Sequence, residues 1–358
     1  MKICITNPVS YLPGETLDVK KYYAYLQPEV EKLPAEERAV LTDLAPETVH
    51  RLKDPSALEI MALMAGQRAL DCSGTAPTDI DGLIAAQKGG KQFMPLMASY
   101  LQLNLGLDTG IIARNVNDDD VSLLSGINLA RAYVQSGLCE KVLVIGAAAL
   151  IGGKYGFGAD LTEPWCTHLG DGAAACIVKA CEDECCCAGD CFEILGFHFE
   201  TEAVTCRLTG TLNGDYGPVR QPRARDLCFA AEMDDDFGAF MQCRDEKLIA
   251  TAGREDFITD CLEAAAGKAG MELADLDCII PAHFAELDAV WEKELYAAGA
   301  KPGSINCLQK SLGHMGSVDT LVDLAEFAKG GAFGEGDKIA LVTPCTGVQT
   351  AVVILKKC

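Results

Sequence analysis

Basic residues are scarce in this chain. Thirty Lys and Arg stand against 52 Asp and Glu, a net charge of −22, and the isoelectric point is about 4.6. So acidic a protein repels phosphate backbones and anionic lipid, which excludes nucleic acid and membrane as main partners. A local basic patch can still hold a small anionic ligand. Long apolar runs are missing too, and nothing approaches the roughly 18 residues of a spanning helix. The opening MKICITNPVSYLPG lacks the basic and apolar parts of an export signal, so the expected location is the cytoplasm. What the chain does have is bulk: 358 residues, 49% of them hydrophobic and 23% charged. That builds one large domain or two ordinary ones, and excludes a disordered chain, a collagen-like chain and a small disulfide scaffold.

Eighteen Cys are scattered mostly singly, and without an export signal they are expected as reduced thiols. The exception is Cys181, Cys185, Cys186, Cys187 and Cys191. Their spacing is not a C-x₂-C pair with a distant second pair. A thiol-rich hairpin or loop is the plainer reading, with metal ligation left open.

Self-similarity organises the rest. Thr78-Asp79-Ile80-Asp81-Gly82-Leu83-Ile84-Ala85-Ala86 resembles Ala274-Asp275-Leu276-Asp277-Cys278-Ile279-Ile280-Pro281-Ala282. Each copy reads as an acidic turn feeding a short apolar strand. Each follows an amphipathic helical stretch, Ser56–Leu70 and Phe257–Ala269. Lys141–Gly146 resembles Lys338–Thr343 in the same way, and the two offsets are 196 and 197 residues. Two matches at nearly one offset predict a duplicated α/β unit, its short strands in sheets covered on both faces. The halves are 1–180 and 181–358, with residues 181–255 as an unpaired cap or loop region. Two separate α/β domains on a linker are the alternative, but nothing between 140 and 190 reads as a linker.

Four stretches resemble the thiolase superfamily, and within it β-ketoacyl-acyl-carrier-protein synthase III. They are Tyr11-Leu12-Pro13, Asp79-Ile80-Asp81, Leu169-Gly170-Asp171-Gly172-Ala173-Ala174-Ala175, and the tail from Gly336-Asp337 to Gly347. The resemblance implies a five-layer α-β-α-β-α fold and a homodimer formed through the first half. It also implies a Cys at the start of a buried helix, where the helix dipole and backbone N–H groups lower its pKa and hold an oxyanion. Here that helix is expected over Val121–Ser136, and the family's spacing puts Asp120, not Cys, at its start.

The family's second-half His resembles His283, in His283-Phe284-Ala285-Glu286. Its G-N turn resembles Gly313-His314-Met315-Gly316, with a second His as in the elongating synthases and thiolases. With only five His in the chain, two at those positions is a specific signal. The plainer reading makes Asp120 a helix cap and His283 a core histidine bonded to a carbonyl. The resemblance also implies that the Thr346 backbone N–H would complete the oxyanion hole. Neighbouring Cys345 is either a relocated nucleophile or an interior thiol. Arg220, Arg223 and Arg225 form the dense basic stretch, either a phosphate grip for the carrier or a solvated face.

The resemblance therefore implies a cytoplasmic acyltransferase of fatty acid or polyketide biosynthesis. It would act on acyl or malonyl thioesters with no cofactor beyond coenzyme A or phosphopantetheine as the substrate's carrier, delivered as acyl-CoA or acyl carrier protein. A carboxylate is a weak nucleophile toward a thioester. Three other readings follow: a silent subunit paired with a Cys-containing sister synthase, a malonyl-thioester decarboxylase, or a site where Asp120, His283 and His314 hold a metal.

Overall fold

The computed structural model describes residues 1–22, 24–35, 38–39, 42, 45–54, 57–89, 96–151, 168–181, 189–201, 257–283, 292–345 and 349–358. Its strands are β1 (Lys2–Tyr11), β2 (Glu15–Asp18), β3 (Thr48–Arg51), β4 (Gly82–Gly89), β5 (Ile112–Val116) and β6 (Lys141–Ala149). They continue with β7 (Asp171–Cys181), β8 (Cys191–Thr201), β9 (Cys278–Pro281), β10 (Lys338–Cys345) and β11 (Gln349–Lys357). The longer helices are α1 (Leu58–Ser73), α2 (Met97–Asn104), α3 (Ser122–Gln135), α4 (Phe257–Lys268) and α5 (Asp319–Lys329). No helix among the described residues is long and apolar enough to cross a membrane.

Nine strands form one sheet in the order β5-β4-β6-β7-β1-β8-β11-β10-β9, and β2 pairs with β3 alongside. Beyond β9, Ile305 makes a parallel bridge to Ile279. Read outward from the β1–β8 joint, the first half runs β1, β7, β6, β4, β5. The second runs β8, β11, β10, β9 and the Ile305 bridge, which is the same order in the chain. Among the named strands of the described residues, parallel pairing joins β4 to β5 and β6, and β9 to β10. Such pairs need crossovers, supplied here by α2, α3 and α5.

The duplication also shows in single hydrogen bonds. Asp81 N–H donates to the Lys141 carbonyl while the Asp81 carboxylate accepts from Lys141 N–H at 2.9 Å. Asp277 does the same with Lys338, accepting at 3.0 Å.

Strand alternation divides the core into layers. In β6, Val142, Val144 and Ala148 face one side, and Leu143, Ile145, Ala147 and Ala149 face the other. The first set joins Leu123, Leu124 and Ile127 of α3, Leu321 and Leu324 of α5, and Ile280, Leu341 and Val353 of the second half. The second set packs on α1 and α2. In β10 and β11, Ala340, Val342, Val352 and Ile354 pack on α4. The layers are therefore α1/α2, first-half strands, α3/α5, second-half strands, α4, which is the expected five-layer thiolase-like arrangement. The starts of α3 and α5 meet in its central layer.

Candidate active site

After β5 the chain passes Asn117 and Asp118 into a 3₁₀ turn, Asp119–Val121, and then α3. Asp119 holds the left-handed region with φ 51°, which turns the chain sharply. Ser122 fixes the turn: its Oγ accepts from Asp118 N–H at 2.7 Å and donates to the Asp119 carbonyl at 2.6 Å. The helix's apolar stripe then pulls the turn inward. Asp120 ends up 1% exposed, its Oδ1 3.8 Å from His314 Nε2.

The second half supplies the rest. Its hub is Asp319, the first residue of α5 and fully buried. Asp319 Oδ1 accepts from Met315 N–H at 2.6 Å. Its Oδ2 accepts from His283 N–H at 2.9 Å and bonds His314 Nδ1 at 2.6 Å. A carboxylate accepting these donors fixes the proton of His314 on Nδ1 and turns Nε2 toward Asp120. Burial pushes the Asp319 carboxyl up, but the neighbouring imidazoles of His283 and His314 and these bonds outweigh it and hold the pKa below the usual range.

His283 turns away from Asp120. Its Nδ1 lies 2.7 Å from the Gly313 carbonyl, which can only accept, and its Nε2 lies 2.8 Å from Asp323 Oδ2. Burial alone would lower its pKa; the carboxylates of Asp323 and Asp319 overcome that and raise it to about 10. Burial pushes Asp323 the other way, upward, against the pull of His283. Asp323 Oδ2 also takes Leu308 N–H at 2.9 Å. The result is a buried line of carboxylates and imidazoles: Asp120, His314, Asp319, His283, Asp323.

The Leu169–Gly172 segment clamps this line from the first half. His314 N–H donates to the His168 carbonyl, Gly170 N–H donates to the His314 carbonyl at 2.7 Å, and Leu169 bridges His314. A Cβ on Gly170 would lie 2.3 Å from the Leu312 carbonyl oxygen, and one on Gly172 2.5 Å from Met315 Sδ. Only glycines let the two segments approach this closely. Between them, Asp171 fastens its own strand by accepting from Leu52 N–H at 2.8 Å and Ile151 N–H at 2.9 Å.

The structure thus brings Asp120 to His314 and directs His283 to Asp323. The suggested metal set of Asp120, His283 and His314 is not formed: both ring nitrogens of His283 are engaged elsewhere. Among the described residues the potential ligand groups lie at other places. Asp319 and Asp323 were missed from sequence, although two acids spaced i, i+4 at the start of a helix ending the Gly313–Val318 turn were a readable signal. Thr346, Arg220, Arg223, Arg225 and Cys185–Cys187 lie outside the described residues. Cys345 closes β10 opposite Gln349.

With this geometry in place, comparison with known proteins is informative. The family model described as 3-Oxoacyl-[acyl-carrier-protein (ACP)] synthase III matches residues 116–202, the segment that contains Asp120 and α3. The β-ketoacyl-[acyl-carrier-protein] synthase III of Neisseria meningitidis serogroup C is 31% identical over 122 residues, 34% of this chain and 37% of that enzyme. Its match thus spans little more than a third of the relative's length. The Synechocystis synthase III is 24% identical over 307 residues, 84% of this chain and 83% of its own. Two solved structures share the fold throughout. A cysteine-to-serine variant of Xanthomonas campestris OleA with bound lauric acid and lauroyl-CoA has TM-score 0.78 and 16% identity, covering 99% of both chains. The Pseudomonas aeruginosa FabH has TM-score 0.74 and 18% identity, covering 99% of this chain and 98% of its own. The chain thus has the fold of OleA and FabH, and over part of its length its sequence is similar to β-ketoacyl-acyl-carrier-protein synthase III.

Proposed function

We propose that the protein is an acyltransferase acting on acyl or malonyl thioesters by direct transfer, with His314 as general acid–base. Asp120 stands where the related synthases would carry the nucleophilic Cys. The observation that carries this reading is the alignment of Asp120, His314 and Asp319. His314 Nδ1 is held at 2.6 Å by Asp319, and Nε2 faces Asp120 at 3.8 Å. An imidazole oriented this way removes a proton from an O–H acceptor as the acceptor oxygen attacks the thioester carbonyl carbon. The C–S bond then breaks and His314 returns the proton to the leaving sulfur. Asp120 faces the transient imidazolium and stabilises it. At a helix start a carboxylate is favoured as an anion, which weakens it as a nucleophile.

In this reading acyl-CoA or acyl carrier protein delivers the substrate, Arg220, Arg223 and Arg225 grip the carrier's phosphates, and the Thr346 N–H stabilises the oxyanion. No further cofactor is needed. A cytoplasmic homodimer in fatty acid or polyketide biosynthesis is the setting that fits.

The test incubates the purified chain with a series of acyl-CoA thioesters and with malonyl-CoA, following free CoA and CO₂. Turnover should proceed without a covalent adduct in the intact mass, and His314→Ala should lower it by about 10²–10⁴-fold. A stable acyl adduct on Asp120 or Cys345 would overturn direct transfer. CO₂ release from malonyl-CoA without acyl transfer would make the protein a decarboxylase.

A second reading, a silent subunit beside a Cys-containing sister synthase, draws on His283. That residue is 1% exposed with both ring nitrogens engaged inside the protein. Asp120→Cys separates the two readings, because a working thioester pocket should then acylate at residue 120. If neither chain turns over thioester and the Cys variant does not acylate, the partner-subunit reading takes over.

A further inference from the structure

Far along the sheet from the His–Asp line, at the joint of the two halves, three thiols converge. Cys4 lies on β1, Cys181 ends β7 and Cys191 begins β8. The register explains why they meet. Lys2 pairs with Cys181 and Cys4 with Lys179, so Cys4 and Cys181 are diagonal neighbours on one face. Cys4 also pairs with Glu193 and Thr6 with Cys191, which puts Cys191 diagonal to Cys4 on that face. The three Sγ atoms all lie within 4.8 Å of one another. Cys4 is 0% and Cys191 2% exposed, while Cys181 is partly open to solvent.

We propose that Cys4, Cys181 and Cys191 form a thiolate site for Zn²⁺ that clamps the joint between the halves. Around a tetrahedral zinc with Zn–S bonds near 2.3 Å, sulfurs sit about 3.8 Å apart, so small side-chain adjustments bring all three onto one ion. The fourth ligand in this proposal is Cys358, whose backbone N–H donates to the Cys191 carbonyl at 2.9 Å and whose thiol would leave the Lys356 carbonyl, 3.8 Å away, to reach the ion. Soft, mostly buried sulfur ligands from several strands suit a structural zinc and exclude the hard cations, which take oxygen. Binding replaces thiol protons by metal–sulfur bonds and needs no oxidant. The position gives it a purpose, because β1 and β8 share only the register pairs Cys4–Glu193, Ile5–Phe192 and Thr6–Cys191.

The experiment uses the full chain, reduced and kept anaerobic, titrated with Zn²⁺ and with Co²⁺ as a spectroscopic stand-in. About one equivalent should bind, with an intense thiolate-to-cobalt charge-transfer band. Cys181→Ser and Cys191→Ser should each weaken binding by more than about tenfold, and Cys72→Ser, at an exposed position elsewhere, should not. Chelation should lower the Tm of the original chain and leave that of Cys181→Ser unmoved. Absence of the cobalt band overturns the proposal. So does a band that survives in both variants, which would put the metal on other thiols. Isolation of the chain with Cys4 in a disulfide to Cys181 or Cys191 would also overturn it, because the site would then be a redox pair.

Discussion

In the first half a serine secures the start of the central helix; 197 residues on, in the second half, an aspartate does. Ser122 takes the N–H of Asp118, four residues back, and Asp319 takes the N–H of Met315 in the same way. Both helices are led in by a 3₁₀ turn, and both turns begin in the left-handed region: Asp119 at φ 51°, Gly316 at φ 60°. The backbone task is therefore identical. The difference is what remains after it is done. Ser122 is neutral and spends its remaining hydrogen bond on Asp119. Asp319 has a second oxygen and a charge left over, and with these it holds His314 and His283. The buried His–Asp line is an elaborated helix cap.

The largest test of that comparison removes both caps. Asp319→Ala strands the His314 imidazole and the backbone N–H groups of Met315 and His283, and should cost about 3–5 kcal/mol in urea denaturation. Ser122→Ala, which loses only a cap, should cost about 0.5–2 kcal/mol. Equal costs would mean that Asp319 is nothing more than a cap.

Next in size is a pH effect confined to the second half. The pKa of His283 is raised from 6.5 to about 10 in the folded protein. Its stabilising contribution is thus complete below about pH 6.5, falls through the interval and is gone above about 10. Denaturation across that range should show a loss of a few kcal/mol for the original chain relative to His283→Gln. Parallel curves for the two would remove the charged His283 from the account.

Smaller still is the clamp between the halves. Gly170→Ala sets a Cβ against the rigid Leu312 carbonyl and should cost about 1–3 kcal/mol while lowering thioester turnover through a displaced His314. Gly172→Ala meets the flexible Met315 side chain and should cost less. A reversed order, read from the same denaturation curves, would mean that Met315 is the more rigid neighbour.

The smallest effect makes the first half copy the second. Asp119→Gly should relieve the left-handed residue and gain under about 1 kcal/mol, part of it offset by a more flexible unfolded chain. A destabilised Asp119→Gly would show that the Asp119 side chain contributes more than the strain it carries.

The layers were legible because hydrophobic alternation and internal repetition are properties of the chain itself. The offsets of 196 and 197 residues predicted the equal strand order, and the Asp81 and Asp277 turns fell where expected. Asp120 and His314 were singled out by the family's helix spacing and by the Gly313 turn, and the structure puts them 3.8 Å apart. Asp319 and Asp323 were not found, for a physical reason. An acid in the first turns of a helix satisfies the dipole and the free N–H groups whether or not it is buried. Burial depends on which loop packs over it, here Gly313–Met315 held by Gly170, and that is long-range information. The expectation that His283 faces Asp120 fails for the same reason: nothing local in the sequence marks Asp323 as its neighbour across the fold.

The place of β1 has a consequence in time. It lies between β7 and β8, and its pairing with β7 joins residues as far apart as Lys2 and Cys181, a separation of 179. During synthesis at about 5–20 residues per second, β1 therefore waits roughly 10–30 s before either neighbour exists. Through that interval Ile3 and Ile5 stand on a strand with two unpaired edges, next to the thiol of Cys4. A strand made this long before its neighbours is among the last able to dock, so the nascent chain is most exposed to wrong pairing at the place where its two halves will later be joined.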